Sequence, residues 1–352
     1  MTLSIPARRA AAAALLAAAG VQVRAQPDAA ACVRLDDPAA RLACYDRVHQ
    51  RVAPAAAPAS APAAAETAAP TAVDTPLSDS MFDDRWDLDG RRRGALFEPR
   101  AYKPVYLLPV TWTDRVNTTP TSPTPENRVL EPLDLRATEV KYQVSFKAKL
   151  AERLFGERGS LWAGYTQSSR WQVYAGSASR PFRETNYEPE LMLGWPLQQR
   201  LGDWHFRHLM VSLNHQSNGR SLPLSRSWNR VIASLQAESG DWTAEFRPWL
   251  RLHEEPGDDD NPDIEDHVGR AELQLTRRWR IGERTHIGAL QLRHSLRGGD
   301  RSRGSAQLEW EFPIDGALRA HLQWFSGYGE SLIDYNLRQN KLGLGISIVG
   351  WR

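Results

Sequence analysis

The chain has 352 residues, in which 44 Lys and Arg against 42 Asp and Glu leave a formal net charge of +2. This near balance of charge is not that of a strongly basic protein, so we expect no nucleic-acid partner. No run reaches the roughly 18 apolar residues of a spanning helix, so a membrane protein of this sequence would be a β-barrel, whose aromatic girdles the thirteen Trp residues fit.

The first 25 residues have the pattern of a secretory signal peptide. Arg8 and Arg9 precede an apolar run over residues 10–20, and Val23 and Ala25 flank Arg24 at the two positions where a signal peptidase reads small side chains. The pattern predicts export, with cleavage near Ala25. A short buried helix is the alternative.

A short segment over residues 26–51 contains both cysteines of the chain, Cys32 and Cys44. Export implies an oxidising compartment, so we expect one disulfide between them, with two unpaired thiols as the alternative. Residues 52–76 are almost all Ala, Pro, Thr and Ser and predict a disordered linker, which a charged lead-in extends to residue 100. The ordered domain is expected to begin near Tyr102 and to occupy residues 101–352.

Beyond residue 102, apolar and polar residues alternate with a period of two. Residues 140–148 place Val, Tyr, Val, Phe and Ala at even positions and Lys, Gln, Ser and Lys at odd ones, and the alternation recurs over residues 190–195, 242–247, 270–275, 306–312, 318–324 and 342–349. About twelve such segments predict an all-β fold, a 12-stranded antiparallel transmembrane β-barrel with a disordered N-terminal extension. A soluble β-sandwich is the alternative, but the many charges on the inner face favour a hydrated barrel lumen.

Three polar residues continue apolar stripes of two predicted strands. Counting back by twos from His215 and Ser217 gives Leu213 and Val211, and Asn229 is in line with Val231. Residues two apart on a strand share a face, so the hydroxyl and the imidazole can be neighbours, as a nucleophile and its base must be. In a membrane barrel this face points at lipid.

Five separated motifs, in this order, resemble the outer-membrane phospholipase A family. They are 181–189 (PFRETNYEP), 214–221 (NHQSNGRS), 225–230 (SRSWNR), 259–264 (DDNPDI) and 328–336 (YGESLIDYN). The likeness covers about residues 102–352. It implies a twelve-stranded outer-membrane barrel with a Ser-His-Asn site on its outer wall, activated by calcium and by dimerisation.

The resemblance also assigns roles to residues. It implies that Ser217 is the nucleophile, His215 the general base and Asn229 the residue that orients the imidazole, and that the Gly219 N–H binds the oxyanion. For calcium it implies the Arg220 carbonyl and the Ser225 hydroxyl, Ser179 from across a dimer interface, and Asp260 at a site used by the monomer. An acidic solvated turn is the alternative for residues 257–260.

Two departures from the family pattern concern calcium. Gln216 and Leu222 stand where better-known members carry acidic residues, so a calcium site that relies on a carboxylate near Leu222 is not expected.

Gln167 matches a polar residue of the family's dimer interface, where an amide inside the membrane would pair with its own copy. A lumen-facing Gln is the alternative.

The expected protein is a calcium-dependent phospholipase of the Gram-negative outer membrane. It would be a homodimer when active and would hydrolyse acyl esters of glycerophospholipids, with phospholipase A1, A2 and lysophospholipase activity. A non-catalytic barrel, either a porin or an adhesin, is the main alternative, and a soluble secreted esterase is a further one.

Overall fold

The computed structural model describes residues 32–48, 80–90 and 92–350, which divide into two units at residues 73 and 74. The first unit is described here by α1 (Pro38–Val48) and by the Cys32–Cys44 disulfide, which confirms that predicted pairing. The predicted signal peptide and most of the predicted linker lie outside the described residues. Among the described residues, no helix is both long and apolar enough to cross a bilayer.

The second unit contains short helices and thirteen strands in its described part. The α-helices are α2 (Met81–Trp86), α3 (Leu154–Glu157) and α4 (Ile264–His267), with 3₁₀ turns at Pro125–Asn127, Gly176–Ala178 and Gly299–Arg301. The strands are β1 (Arg100–Ala101), β2 (Val105–Thr113), β3 (Thr138–Arg153), β4 (Gly159–Trp171), β5 (Phe182–Leu201), β6 (Trp204–Ser217), β7 (Ser227–Ser239), β8 (Trp242–Arg251), β9 (Ala271–Ile281), β10 (Arg284–His294), β11 (Gly304–Asp315), β12 (Leu318–Gly327) and β13 (Gln339–Val349).

Strands β2 to β13 form a closed antiparallel barrel of twelve strands. Each strand pairs with its neighbours in the chain, and β13 pairs with β2 to close the wall. The short strand β1 pairs with β3 and is not part of the closed wall. The predicted 12-stranded barrel is confirmed.

Burial along the strands follows the alternation of the sequence. On β6 the side chains of His208, Met210 and Ser212 are buried in the lumen, whereas Leu209, Val211 and Leu213 are 37 to 56% exposed. Outward apolar side chains of the other strands form the same exposed surface, as Phe146 on β3 does. An apolar outer wall around a polar interior is the arrangement that a bilayer requires.

Ion pairs between buried side chains fill much of the lumen. The Glu330 carboxylate lies 3.0 Å from Arg170, 2.9 Å from Lys141 and 2.8 Å from Lys341. Glu139 accepts hydrogen bonds from Arg183 at 2.8 and 3.0 Å. Because a buried charge is tolerated only when it is paired, each of these charged side chains depends on a partner from another strand or loop.

The two ends of the barrel differ in their connections. Tight turns at residues 202–203, 240–241, 282–283 and 316–317 lie at one end, and longer loops over residues 114–137, 172–181, 218–226, 252–270, 295–303 and 328–338 lie at the other. Outer-membrane barrels have short periplasmic turns and long extracellular loops. The end of β6 that carries Ser217 is therefore the extracellular end.

The ordered chain begins earlier than the predicted Tyr102, because α2 enters the barrel at the end with tight turns. Ser80 caps this helix by accepting a hydrogen bond from the Asp83 N–H at 3.2 Å. Phe82 and Trp86 pack with apolar side chains of the barrel, and the Lys147 ammonium lies 3.3 Å from the centre of the Trp86 ring. The charges around these aromatic residues concealed a buried helix within the predicted lead-in.

Candidate active site

The pairing of β6 with β7 brings two of the three predicted catalytic residues face to face. His215 is directly opposite Asn229 in the register, and the ring Nδ1 lies 2.8 Å from the Asn229 Oδ1. Both residues occupy the outward positions of their strands, in line with the exposed Leu213. The structure therefore has His215 and Asn229 on the outer face of the barrel, as the alternation of the sequence predicts.

The hydrogen bonds of Asn229 determine which tautomer His215 adopts. The Asn229 Nδ2 donates to the Glu254 Oε1 at 3.0 Å, so the amide oxygen must face the imidazole. An oxygen can only accept, so Nδ1 carries the ring proton and donates it. The Nε2 atom is then left with the lone pair that a general base uses.

Ser217 is the last residue of β6, two positions beyond His215 on the same outward face. It pairs with Tyr187 of β5 on one side and with Ser227 of β7 on the other. Within the described part of the chain, no hydrogen bond joins the Ser217 hydroxyl to the ring of His215. Catalytic hydrogen bonds often tighten only when substrate is bound, so the shared face is the relevant geometry.

The loop that follows Ser217 is organised by the buried side chain of Asn218. Its Oδ1 accepts hydrogen bonds from the N–H groups of Arg220 at 3.2 Å and Arg226 at 3.0 Å, and its Nδ2 donates to the Leu224 carbonyl at 2.8 Å. Gly219 has a φ of +59°, and an added Cβ would lie 3.1 Å from the Tyr187 ring. Both facts favour Gly at this position, two residues after Ser217.

Arg226 holds the other end of this loop. Its guanidinium donates to the carbonyls of Pro223 at 3.2 Å, Ser225 at 2.6 Å and Asn127 at 3.0 Å. Burial lowers the pKa of Arg226, but a guanidinium remains charged at neutral pH. The loop of residues 218–226 is thereby fixed to the loop of residues 114–137.

Two of the predicted calcium ligands lie in direct contact. The Ser225 hydroxyl donates to the Asp260 Oδ2 at 2.6 Å, and the Asn127 Nδ2 donates to the Asp260 Oδ1 at 3.0 Å. A hydroxyl and a carboxylate that converge in this way are hard oxygen ligands, so these residues fit calcium. The resemblance had assigned them to two different sites, whereas in the structure their side chains are in direct contact.

The other predicted calcium ligands, Arg220 and Ser179, lie in two different loops. Arg220 is exposed in the same loop as Ser225. Ser179 is exposed in the loop of residues 172–181, and among the described residues no hydrogen bond joins it to Ser225 or Asp260. Leu222, where the family pattern has an acidic residue, is 57% exposed and brings no carboxylate.

The acidic turn at residues 257–260 is not wholly solvated. Asp258 is exposed, but Asp259 is buried and accepts a hydrogen bond from the Arg251 guanidinium at 2.6 Å. The Asp259 Oδ1 also accepts from the Asn261 N–H at 3.0 Å. The solvated-turn alternative therefore describes only the first part of this segment.

Gln167 lies on the outer wall, so the lumen-facing alternative is wrong. It pairs with Val144 of β3 and with Tyr187 of β5, and Tyr187 in turn pairs with Ser217. Gln167 is thus two strands away from Ser217 on the same face. Because neighbouring strands are about 4.8 Å apart, the separation across the wall is on the order of 10 Å.

Sequence reasoning missed Glu254 and Asn127. Both lie in long loops, where no periodicity marks the residues that reach the site. Their hydrogen bonds to Asn229 and to Asp260 depend on how the loops fold back over the barrel. A polar residue in a long loop gave no sequence signal that could have identified either one.

Comparison with known proteins places this chain in a family. The model of the family described as Phospholipase A1 matches residues 82–348. A Neisseria meningitidis relative that carries a phospholipase A1 name is 41% identical over 265 residues, or 74% of this chain and 68% of its own. The Phospholipase A1 of Escherichia coli K12 is 42% identical over 216 residues, or 60% of this chain and 70% of its own.

The fold and the sequence agree with a solved structure as well. The calcium-bound dimer of the outer-membrane phospholipase from Salmonella typhi superposes with a TM-score of 0.63 at 36% identity, covering 73% of this chain and 94% of its own. The family match begins at residue 82, so α2 is part of the family pattern. The chain belongs to the phospholipase A1 family and forms an outer-membrane β-barrel.

Proposed function

We propose that this protein is a calcium-dependent phospholipase A that uses Ser217, His215 and Asn229 on the lipid-facing wall of its barrel. The observation that carries the proposal is the 2.8 Å contact between His215 Nδ1 and Asn229 Oδ1 on the outward face that Ser217 shares. A neutral amide suits this position, because an unpaired carboxylate beside hydrocarbon would be costly. A phospholipid in the outer leaflet reaches this face without leaving the membrane.

The reaction proceeds through an acyl-serine. His215 Nε2 takes the proton of the Ser217 hydroxyl as Oγ attacks the acyl carbonyl carbon, and the carbonyl electron pair moves onto oxygen. The Gly219 N–H donates to this oxyanion. When the tetrahedral intermediate collapses, the glycerol oxygen leaves with the proton from His215. Water then attacks the acyl-serine with the same base, which releases the fatty acid.

Calcium would be held near the nucleophile by oxygen atoms of this chain. The Arg220 carbonyl, the Ser225 hydroxyl and Ser179 of the partner subunit are the proposed ligands, with Asp260 at the adjoining site used by the monomer. The bound ion would stabilise negative charge on the substrate oxygen. Ser225 and Asp260 already lie 2.6 Å apart, which supports a shared oxygen-rich site.

Dimerisation would complete the active site. Gln167 is on the outer wall in the same row as Tyr187 and Ser217, so a second copy that paired with it would also form one side of the groove above the nucleophile. Such a groove would hold the acyl chain against the wall. The same nucleophile could reach either acyl ester of a phospholipid and the remaining ester of a lysophospholipid. We therefore propose phospholipase A1, A2 and lysophospholipase activities.

Labelling with a long-chain sulfonyl fluoride tests the proposal against a non-catalytic barrel, either a porin or an adhesin. The detergent-solubilised protein should be labelled at Ser217 and should lose ester hydrolysis in proportion. A barrel in which the polar patch is only an assembly contact would be labelled elsewhere or not at all.

Asn229→Ala should reduce kcat by less than the loss of the nucleophile does. The change removes a hydrogen bond to a ring that becomes charged during attack, which is worth about 1.5–3 kcal/mol, or roughly 10- to 150-fold in rate. Steady-state hydrolysis of a monomeric ester in detergent measures it, with Val231→Ala, at the next outward position of β7, as the control. A loss as complete as that of Ser217→Ala would contradict an orienting role.

Ser225→Ala should raise the calcium concentration needed for half-maximal activity, because it removes a proposed ligand and the hydrogen bond to Asp260. A loss of one neutral ligand predicts a shift of about tenfold. A calcium titration of hydrolysis measures the shift, with the exposed Ser221→Ala as the control in the same loop. An unchanged calcium response would remove Ser225 from the ligand set.

A further inference from the structure

Glu254 lies in the loop after β8, and its carboxylate contacts the end of the Asn229 amide that does not face His215. Its Oε1 accepts the Asn229 Nδ2 hydrogen bond at 3.0 Å, and its side chain is 16% exposed. The backbone holds the same place, because the Leu252 N–H donates to the Asn229 carbonyl at 2.8 Å. The loop is therefore tied to the residue that orients the base by both its main chain and a side chain.

A carboxylate in this position removes an ambiguity that an Asn otherwise has. The two ends of an amide have nearly the same shape, and a free Asn229 could present either oxygen or nitrogen to His215. Only the nitrogen end can donate to Glu254, so the oxygen end must face the imidazole. The negative charge also favours the imidazolium that forms when Ser217 gives up its proton.

Arg251 fixes Glu254 and joins it to the acidic turn. Its guanidinium lies 3.2 Å from the Glu254 Oε2 and 2.6 Å from the Asp259 Oδ1. Asp259 accepts the Asn261 N–H at 3.0 Å, and the Asn261 Oδ1 accepts the Ser227 N–H at 3.0 Å. This series of hydrogen bonds and ion pairs starts at Asn229 of β7 and ends at Ser227 of the same strand, which pairs with Ser217.

We propose that Glu254 is a positioning residue of the catalytic group, which holds the Asn229 amide in the one orientation that supports His215 as a base. The inference rests on the proposed function. It goes beyond it by adding a fourth member and by linking that member, through Arg251 and Asp259, to the turn that carries Asp260. If Glu254 served only to hold the loop through a salt bridge, it would need Arg251 but not the hydrogen bond from Asn229.

A pair of substitutions separates the acceptor role from the charge. Glu254→Ala removes the acceptor and should lower kcat roughly fivefold to thirtyfold, the effect of one hydrogen bond, with KM unchanged. Glu254→Gln keeps an oxygen that can accept from Asn229 and should recover most of that loss. Glu255→Ala, which changes the exposed neighbouring carboxylate, should behave as the unaltered protein.

A double-mutant cycle with Asn229→Ala gives the decisive measurement. If Glu254 acts through Asn229, Glu254→Ala should cause no further loss in the Asn229→Ala protein, whether the readout is kcat or the rate at which a sulfonyl fluoride modifies Ser217. Losses that multiply would overturn the inference, since they would show a role in loop structure alone. So would equal losses for Glu254→Ala and Glu254→Gln.

Ser217→Ala, assayed beside these variants, separates this inference from the proposed function. Hydrolysis that survives Ser217→Ala would defeat the proposed function whatever Glu254 does. Hydrolysis that disappears with Ser217→Ala, together with an unchanged kcat in Glu254→Ala, would defeat only the role of Glu254.

Discussion

Ser217→Ala should yield a folded barrel that hydrolyses no phospholipid. The methyl group cannot attack a carbonyl, and the remaining base and oxyanion donor act on nothing without an oxygen to activate. We expect a fall in kcat on the order of 10⁴-fold or more, as for other hydrolases that lose their serine. Release of fatty acid from mixed micelles measures it.

The control for this prediction is the fold itself. Ser217 is on the outward face of β6, so its loss should leave the heat-dependent shift in gel mobility that marks a closed barrel. Ser227→Ala, at the cross-strand neighbour of Ser217, reports what loss of a hydroxyl on this wall does by itself. Activity retained by Ser217→Ala would refute the assignment of the nucleophile.

Glu330→Ala should have the largest effect on stability. Its carboxylate is the shared partner of Arg170, Lys141 and Lys341, and its side chain is 1% exposed. Burial opposes its ionisation, yet these three cations hold the pKa of Glu330, in the loop between β12 and β13, well below its usual value. Removing it leaves three buried positive charges without the carboxylate that they share, which costs about 3–5 kcal/mol.

The free energy of unfolding from urea titration of the barrel in lipid measures this loss. Glu255→Ala removes an exposed carboxylate and should change that free energy by no more than about 0.5 kcal/mol. A change below about 1 kcal/mol for Glu330→Ala would mean that the lumen network adjusts to the loss of its central acid.

The wall of the barrel could be predicted from sequence because its physical rule is local. Each crossing must bury polar side chains and expose apolar ones, and residues two apart share a face, so segments such as 140–148 identify themselves. The same rule placed His215, Ser217 and Asn229 on the outer face. It could not show that His215 lies opposite Asn229, because register depends on the loop between the strands.

The loops and the helix α2 were not predictable in this way. Phe82 and Trp86 sit among charged residues in a helix of one to two turns, which has no period to detect. Glu254 and Asn127 act through contacts that span long loops, and the pairing of Ser225 with Asp260 joins two loops that the sequence separates. Such contacts follow from the closed barrel, which brings the loops to one end.

The proposed mechanism requires that the Ser217 hydroxyl open onto lipid. A nitroxide attached at Ser217→Cys in a lipid bilayer should collide more often with dissolved oxygen than with a water-soluble nickel chelate, and its ratio should match that of a nitroxide at Leu213→Cys on the same face. If the nitroxide at Ser217→Cys instead collided with the nickel chelate as often as a fully solvent-exposed nitroxide does, the Ser217 position would be in water. That result would contradict attack on membrane lipid from this wall.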